Sequence, residues 1–164
     1  TDQWISGGAV QNAEKLLERL DEVYDRYDRD ALKRWQPYPD TLPVLKALAD
    51  AGYPMGVVSN CGREVVNTVL ERFEMKSYFD LVLSRDDVSR IKPHPDSLLI
   101  AQKQMSLSPE KILFVGDSIN DINAAEKAGM QPCFLFCGES LVTGQSSSPD
   151  VYQISCLADL MKIV

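Results

Sequence analysis

From Tyr53 onward, short apolar runs alternate with longer stretches whose apolar residues recur every three or four positions, and this alternation restricts the fold more than any other feature. The runs cover residues 55–59, 81–84, 112–115, 133–136 and 151–154, and each is too short for a stable helix. Between them, helices are predicted through Val65, Val66, Val69, Leu70 and Phe73, over 98–105 with Asp96 as opener, from 118 to a stop at Gly129, and over 157–164. Residues 143–149 read as a loose loop. Continuous apolar strands joined through helices imply a parallel sheet covered on both faces, with right-handed crossovers. The expected fold is therefore α/β, a doubly wound, Rossmann-like parallel sheet. In such sheets ligands sit beyond the carboxyl ends of the strands, so chemistry should lie in the loops after Val58, Ser84 and Val115.

The N-terminal part reads differently. Over residues 11–35, Leu16, Leu20, Val23, Tyr24, Tyr27, Ala31 and Trp35 repeat at helical spacing with charges between them, which predicts one long amphipathic helix, bent or broken at most once. Pro37 and Pro39 stop it, and Asp40 is placed to cap a second helix over 41–51 that ends at Gly52. A chain of 164 residues suits one domain with a small appendage. The division expected is 1–36 as a helical appendage and 37–164 as an α/β core.

The net charge of -7 argues against a nucleic-acid groove, because phosphate backbones are held by clustered Lys and Arg. An anionic substrate would need local positive charge or a metal. No apolar run approaches the roughly 20 residues of a membrane-spanning helix, and residues 1–10 lack the basic start and apolar centre of a secretory signal. Cys61, Cys133, Cys137 and Cys156 form no CxxC pair, which suits reduced thiols and a cytoplasmic location. Cys133 and Cys137 would share one face of a strand, a poor zinc site without His partners.

Three short segments could carry chemistry. In Phe114-Val115-Gly116-Asp117-Ser118-Ile119-Asn120-Asp121, a strand runs into two carboxylates four residues apart, which suits a hard cation such as Mg2+. Helix capping by Asp117 or Ser118 explains the same residues equally well. In Lys92-Pro93-His94-Pro95 two prolines restrict a loop that could aim the ammonium at a phosphoryl oxygen or a carboxylate nucleophile. His94, between prolines in a surface loop, is given no catalytic role. In Val57-Val58-Ser59-Asn60 a hydroxyl and backbone N–H groups stand at a strand tip before a helix, as suits an anion, though Ser-Asn is also ordinary turn chemistry.

Taken together and in this order, these segments resemble the haloacid dehalogenase superfamily from about residue 11 to the C-terminus. That family places a nucleophilic Asp on a first strand as Asp-x-Asp, a Ser or Thr after the second strand, a Lys, and an acidic pair after a further strand. Ser59 matches the second motif, Lys92 the third, and Asp117 with Asp121 the fourth. Pro37-Tyr38-Pro39-Asp40 resembles the return from a helical cap, so residues 1–36 would be the trailing part of a cap, as in the phosphoglycolate phosphatase-like branch. The resemblance implies Mg2+-dependent hydrolysis of a small phosphorylated metabolite through an aspartyl phosphate. Asp117 and Asp121 would hold Mg2+, Ser59 and the Asn60 N–H would bind phosphoryl oxygens, and Lys92 would balance charge. A haloacid dehalogenase and a noncatalytic binding or assembly module are the alternatives.

The first motif has no counterpart. Asp28-Arg29-Asp30 is the one Asp-x-Asp, and it falls on the charged side of a predicted helix, while residues 1–10 are too polar for a buried central strand. In the family that strand lies between those bearing Ser59 and Asp117, so two unpaired inner edges are expected. A longer product, a second chain supplying the strand, or a rearranged strand order would each account for the gap. This chain alone is expected to show little or no turnover.

Overall fold

The structure is a computed structural model that describes residues 3–136 and 151–164, and it divides into two compact units, Thr1–Gln36 and Pro37–Val164. Cys137 and the predicted loop at 143–149 fall outside the described residues. The first unit is a single helix, α1 (Gln3–Leu32), which starts eight residues before the sequence pattern suggests and is unbroken. Gly7 and Gly8 each cost only about 1 kcal/mol relative to Ala, and no proline stands nearby to block the first turns. Asp30 pairs with Lys33 at 3.0 Å on its exposed side, whereas Asp28 is buried rather than solvated.

In the second unit the chain order is α2 (Thr41–Asp50), β1 (Gly56–Val58), α3 (Arg63–Arg72), β2 (Leu81–Leu83), α4 (Asp96–Met105), β3 (Leu113–Gly116), α5 (Ile119–Ala128), β4 (Gln131–Leu135) and β5 (Tyr152–Ile154). Leu157–Lys162 closes the chain as a 3-10 helix in place of the predicted α-helix. Asp40 does not cap α2. It has αR backbone angles, unlike the extended conformation of a capping residue, and its carboxylate accepts from Ala158 N at 2.9 Å instead. Gly129 ends α5 as expected, in the left-handed conformation at φ +72°.

Among the described residues all strand pairs are parallel, but they form two sheets rather than one: β1 with β2, and β3 with β4 and β5. The break falls between the strands leading to Ser59 and to Asp117, consistent with a missing central strand. Hydrogen bonding sides alternate along a strand, which identifies the groups facing the break. Ser59 N donates to Leu83 O at 2.9 Å, so Ser59 and Val57 face β2 and Val58 turns its backbone the other way. Gln131 N donates to Ile112 O at 2.9 Å, so Leu113 and Val115 likewise face away from β4.

Apolar packing joins the two sheets where no ladder does among the described residues. On one face of the larger sheet Val44 of α2 packs with Cys133, Leu135, Ile154 and Leu160; α3 covers the smaller sheet through Val66 and Leu70. The remaining cluster spans the break, because Leu98 of α4 and Ala124, Ala125 and Ala128 of α5 gather Val58 from β1 and Ile112 and Phe114 from β3. Leu98 is fully buried there, a contribution of about 2–3 kcal/mol from its side chain alone. Among the described residues no helix is long and apolar enough to cross a membrane.

Candidate active site

The predicted residues come from three separated loops, and a lysine joins them. Lys92 lies between β2 and α4 on a loop whose ends are clamped by Arg90, which grips Asp96 through Nε at 3.0 Å and Nη2 at 2.9 Å. The side chain of Lys92 is only 9% exposed. Its ammonium donates to Val58 O at 2.9 Å and lies 2.7 Å from Asp121 Oδ1, with the Phe114 ring centroid 5.4 Å away. Val58 O is one of the groups turned toward the break, so the ammonium occupies an acceptor that a neighbouring strand would otherwise use. A buried cation needs such company, since neither an unpaired ammonium nor an unpaired carboxylate is tolerated away from water.

Asp121 is held from both sides. Its Oδ2 accepts from Ser118 N at 3.2 Å and from Ser118 Oγ at 2.6 Å, while Asp121 N donates to Ser118 Oγ at 3.3 Å, a reciprocal cap on the first turn of α5. Gly116 makes room for it, because a Cβ there would stand 2.3 Å from Asp121 Cβ. Asp117 is different: it is exposed just beyond β3, and no partner for its carboxylate is found among the described residues.

Ser59 and Asn60 are half-buried at the tip of β1. The Ser59 hydroxyl accepts from Cys61 N at 3.1 Å. The Asn60 side chain pairs with the backbone of Lys92, donating through Nδ2 to Lys92 O at 3.1 Å and accepting from Lys92 N at 3.1 Å. The structure thus brings Asn60, Lys92 and Asp121 into direct contact chains, sets Ser59 next to Asn60, and leaves Asp117 at the neighbouring strand tip. His94 is exposed.

Two contributors went unread in the sequence. One is the Asn60 side chain, whose partner is 32 residues away and leaves no local signal. The other is the return half of the cap on α5: Ser118 caps the helix as the sequence offered, but its hold on the Asp121 carboxylate was not foreseen, though Ser-x-x-Asp signals it. The same device ends β2, where Ser84 N and Oγ donate to Asp87 Oδ2 at 2.8 and 2.6 Å. Burial works against the charge of Asp87, but those bonds and Arg63, 2.7 Å from its Oδ1, hold its carboxyl below the usual range.

Among the described residues no three His, Cys, Asp or Glu side chains gather as a metal cluster. Mg2+ does not require one, since it is commonly held by one or two carboxylates with water and substrate phosphate as the other ligands. Asp117 fits that role with a free carboxylate. Asp121 already uses Oδ2 on Ser118 and one side of Oδ1 on Lys92, so it has at most one lone pair of Oδ1 to offer a metal.

Comparison with known proteins gives a consistent picture. Residues 5–135 match the family model described as haloacid dehalogenase-like hydrolase. The phosphoglycolate phosphatase of Escherichia coli (strain K12) is 39% identical over 118 residues, covering 71% of this chain and 47% of that protein. A crystal structure of a HAD phosphatase from Thermococcus onnurineus superposes with a TM-score of 0.73 at 30% identity, over 85% of this chain and 63% of that one. That of a predicted phosphoglycolate phosphatase from Haemophilus somnus gives 0.68 at 33%, over 78% and 57%. The chain spans about half the length of the curated relatives it matches.

Proposed function

The chain belongs to the haloacid dehalogenase-like hydrolases, and from that premise we propose that it forms part of a phosphatase of small phosphorylated metabolites, phosphoglycolate among the candidates. The observation that carries this reading is the buried Lys92 ammonium, which ties the tip of β1 to Asp121 at the open edge between the two sheets. In the completed protein, a strand inserted at that edge supplies the carboxylate nucleophile, from an upstream segment or a second chain. The carboxylate attacks phosphorus, the P–O bond to the leaving alcohol breaks, and water then hydrolyses the aspartyl phosphate to release inorganic phosphate.

This chain's own residues bind and neutralise. The Ser59 hydroxyl and the Asn60 backbone N–H hold phosphoryl oxygens at the strand tip. Lys92 has three N–H donors; Asp121 keeps one, and an inserted strand that takes Val58 O releases another, so two are left for the nucleophile and a phosphoryl oxygen. Asp117, together with Asp121, would hold Mg2+. The metal, when bound, offsets the negative charge of the phosphoryl group.

The test is a chain extended at its N-terminus by a strand bearing Asp-x-Asp, assayed with phosphoglycolate and a generic aryl phosphate. Hydrolysis by the extended form, with little or none from residues 1–164 alone, is the expected result. A folded extended protein that stays inactive on both substrates, and on a panel of small phosphate esters, rejects the reading. Chelation separates this from dehalogenation, which needs no metal: loss of activity with a chelator, restored by Mg2+, is expected.

A further inference from the structure

We infer that the side chain of Asn60 is a positioning residue for Lys92, coupling the anion-binding turn after β1 to the charge-balancing lysine. The inference rests on the proposed function for its catalytic meaning, but its geometry is independent of that reading. Asn60 Oδ1 accepts from Lys92 N and Asn60 Nδ2 donates to Lys92 O, both at 3.1 Å. A primary amide presents one acceptor and a donor side by side, so it engages both backbone groups of one residue much as a neighbouring strand would. The loop from Ile91 to Pro95 has no strand partner of its own. It is held at its ends by Arg90 with Asp96, at Pro93 by Lys127, whose Nζ donates to the carbonyl at 3.0 Å, and at Lys92 by Asn60.

The consequence reaches the ammonium. Lys92 extends from the anchored backbone to Val58 O, the carbonyl two residues before Asn60. Backbone and side chain of Lys92 are therefore both tied to the same β1 tip, and the ring of contacts fixes where the charge stands relative to Ser59. Losing the amide loosens the lysine backbone, so the ammonium is held less well against Val58 O and Asp121 and reaches solvent more often, although the pair still favours contact. Any movement of the turn on binding an anion would be passed to Lys92 through the same two bonds.

The experiment uses the 164-residue chain with two readouts in parallel: exchange of the Lys92 backbone amide with solvent, and modification of each lysine Nζ by a small acylating reagent, resolved by mass spectrometry. In the unaltered protein both Lys92 sites are expected to be protected, while exposed Lys46 and Lys76 react freely. Asn60→Ala should raise both Lys92 rates about tenfold, the scale set by two lost hydrogen bonds, and leave Lys46 and Lys76 unchanged. Asn60→Asp keeps the size and one acceptor but loses the donor to Lys92 O. It is expected to raise both rates too, and it decides the matter if the alanine variant does not fold.

A variant matched in overall stability, Val44→Ala in the opposite core, should leave Nζ of Lys92 protected. If amide exchange rises while Nζ stays protected, Asn60 merely ties down a loop and the inference is overturned; it is equally overturned if neither rate changes, or if Lys92 Nζ is freely modified in the unaltered protein. In the strand-extended form, Asn60→Ala should lower kcat more than it raises KM. An inactive extended form would sink the proposed function and leave the labelling result standing.

Discussion

The Lys92–Asp121 pair illustrates how a buried contact can be costly to break without being a source of net stability. Removing the ammonium leaves Asp121 buried with only Ser118 for company. Lys92→Met is therefore expected to destabilise the fold by about 3 kcal/mol in urea titration. Adding Asp121→Asn should recover part of that loss, since the amide no longer needs a counter-charge; a purely additive double variant would mean the pair is not coupled. Cys133 makes a second residue-scale case. It is fully buried within β4, and burial pushes its thiol up to about 11 from an ordinary value of 9.0. Between those values the folded chain keeps a proton that the unfolded chain releases, so the contribution is intact below about pH 9 and is lost as pH rises toward 11. The loss should reach about 2–3 kcal/mol, seen as a steeper fall in stability with pH than in Cys133→Ala.

At the scale of elements, the helices and strands of the core were legible because each buries one periodic face or one continuous run. Val66 and Leu70 at helical spacing on α3 and the run Leu81–Leu83 are examples. What failed was local chemistry overridden by distant partners. Asp40 looks like a cap in sequence, yet Ala158 N, 118 residues away, takes its carboxylate. Similarly, Ser59, Lys92, Asp117 and Asp121 could be picked out, but not the amide of Asn60 that joins two of the loops. The two-sheet arrangement is consistent with the absent central strand expected from the sequence, and it makes an odd-even prediction. In β3 the amides of Leu113 and Val115 face the break, while those of Phe114 and Gly116 face β4. Hydrogen exchange should be about 100-fold faster at Leu113 and Val115 than at Phe114. Equal protection along β3 would mean that another backbone segment already pairs with this edge.

For the Pro37–Val164 unit as a whole, the question is what makes two sheets one cooperative body when no ladder joins them. The packing points to α4, because its fully buried Leu98 sits in the cluster that gathers Val58 from one side of the break and Ile112 and Phe114 from the other. Arg90 with Asp96 and the Lys92 contacts add polar ties along the same path, but they hold loop and tip rather than sheet faces. Leu98→Ala should therefore do two things at once: cost about 3–5 kcal/mol through the cavity it leaves, and loosen the smaller sheet from the larger. Segment-resolved hydrogen exchange distinguishes them. In the unaltered protein, β1 and β2 should open together with β3 and β4 at low denaturant, whereas in Leu98→Ala the two-stranded sheet should open first. Leu70→Ala is the control, since it removes a comparable side chain from the α3 face of the smaller sheet without touching the break. Coincident opening of both sheets in Leu98→Ala would assign their coupling to the polar contacts around Lys92 instead of to α4.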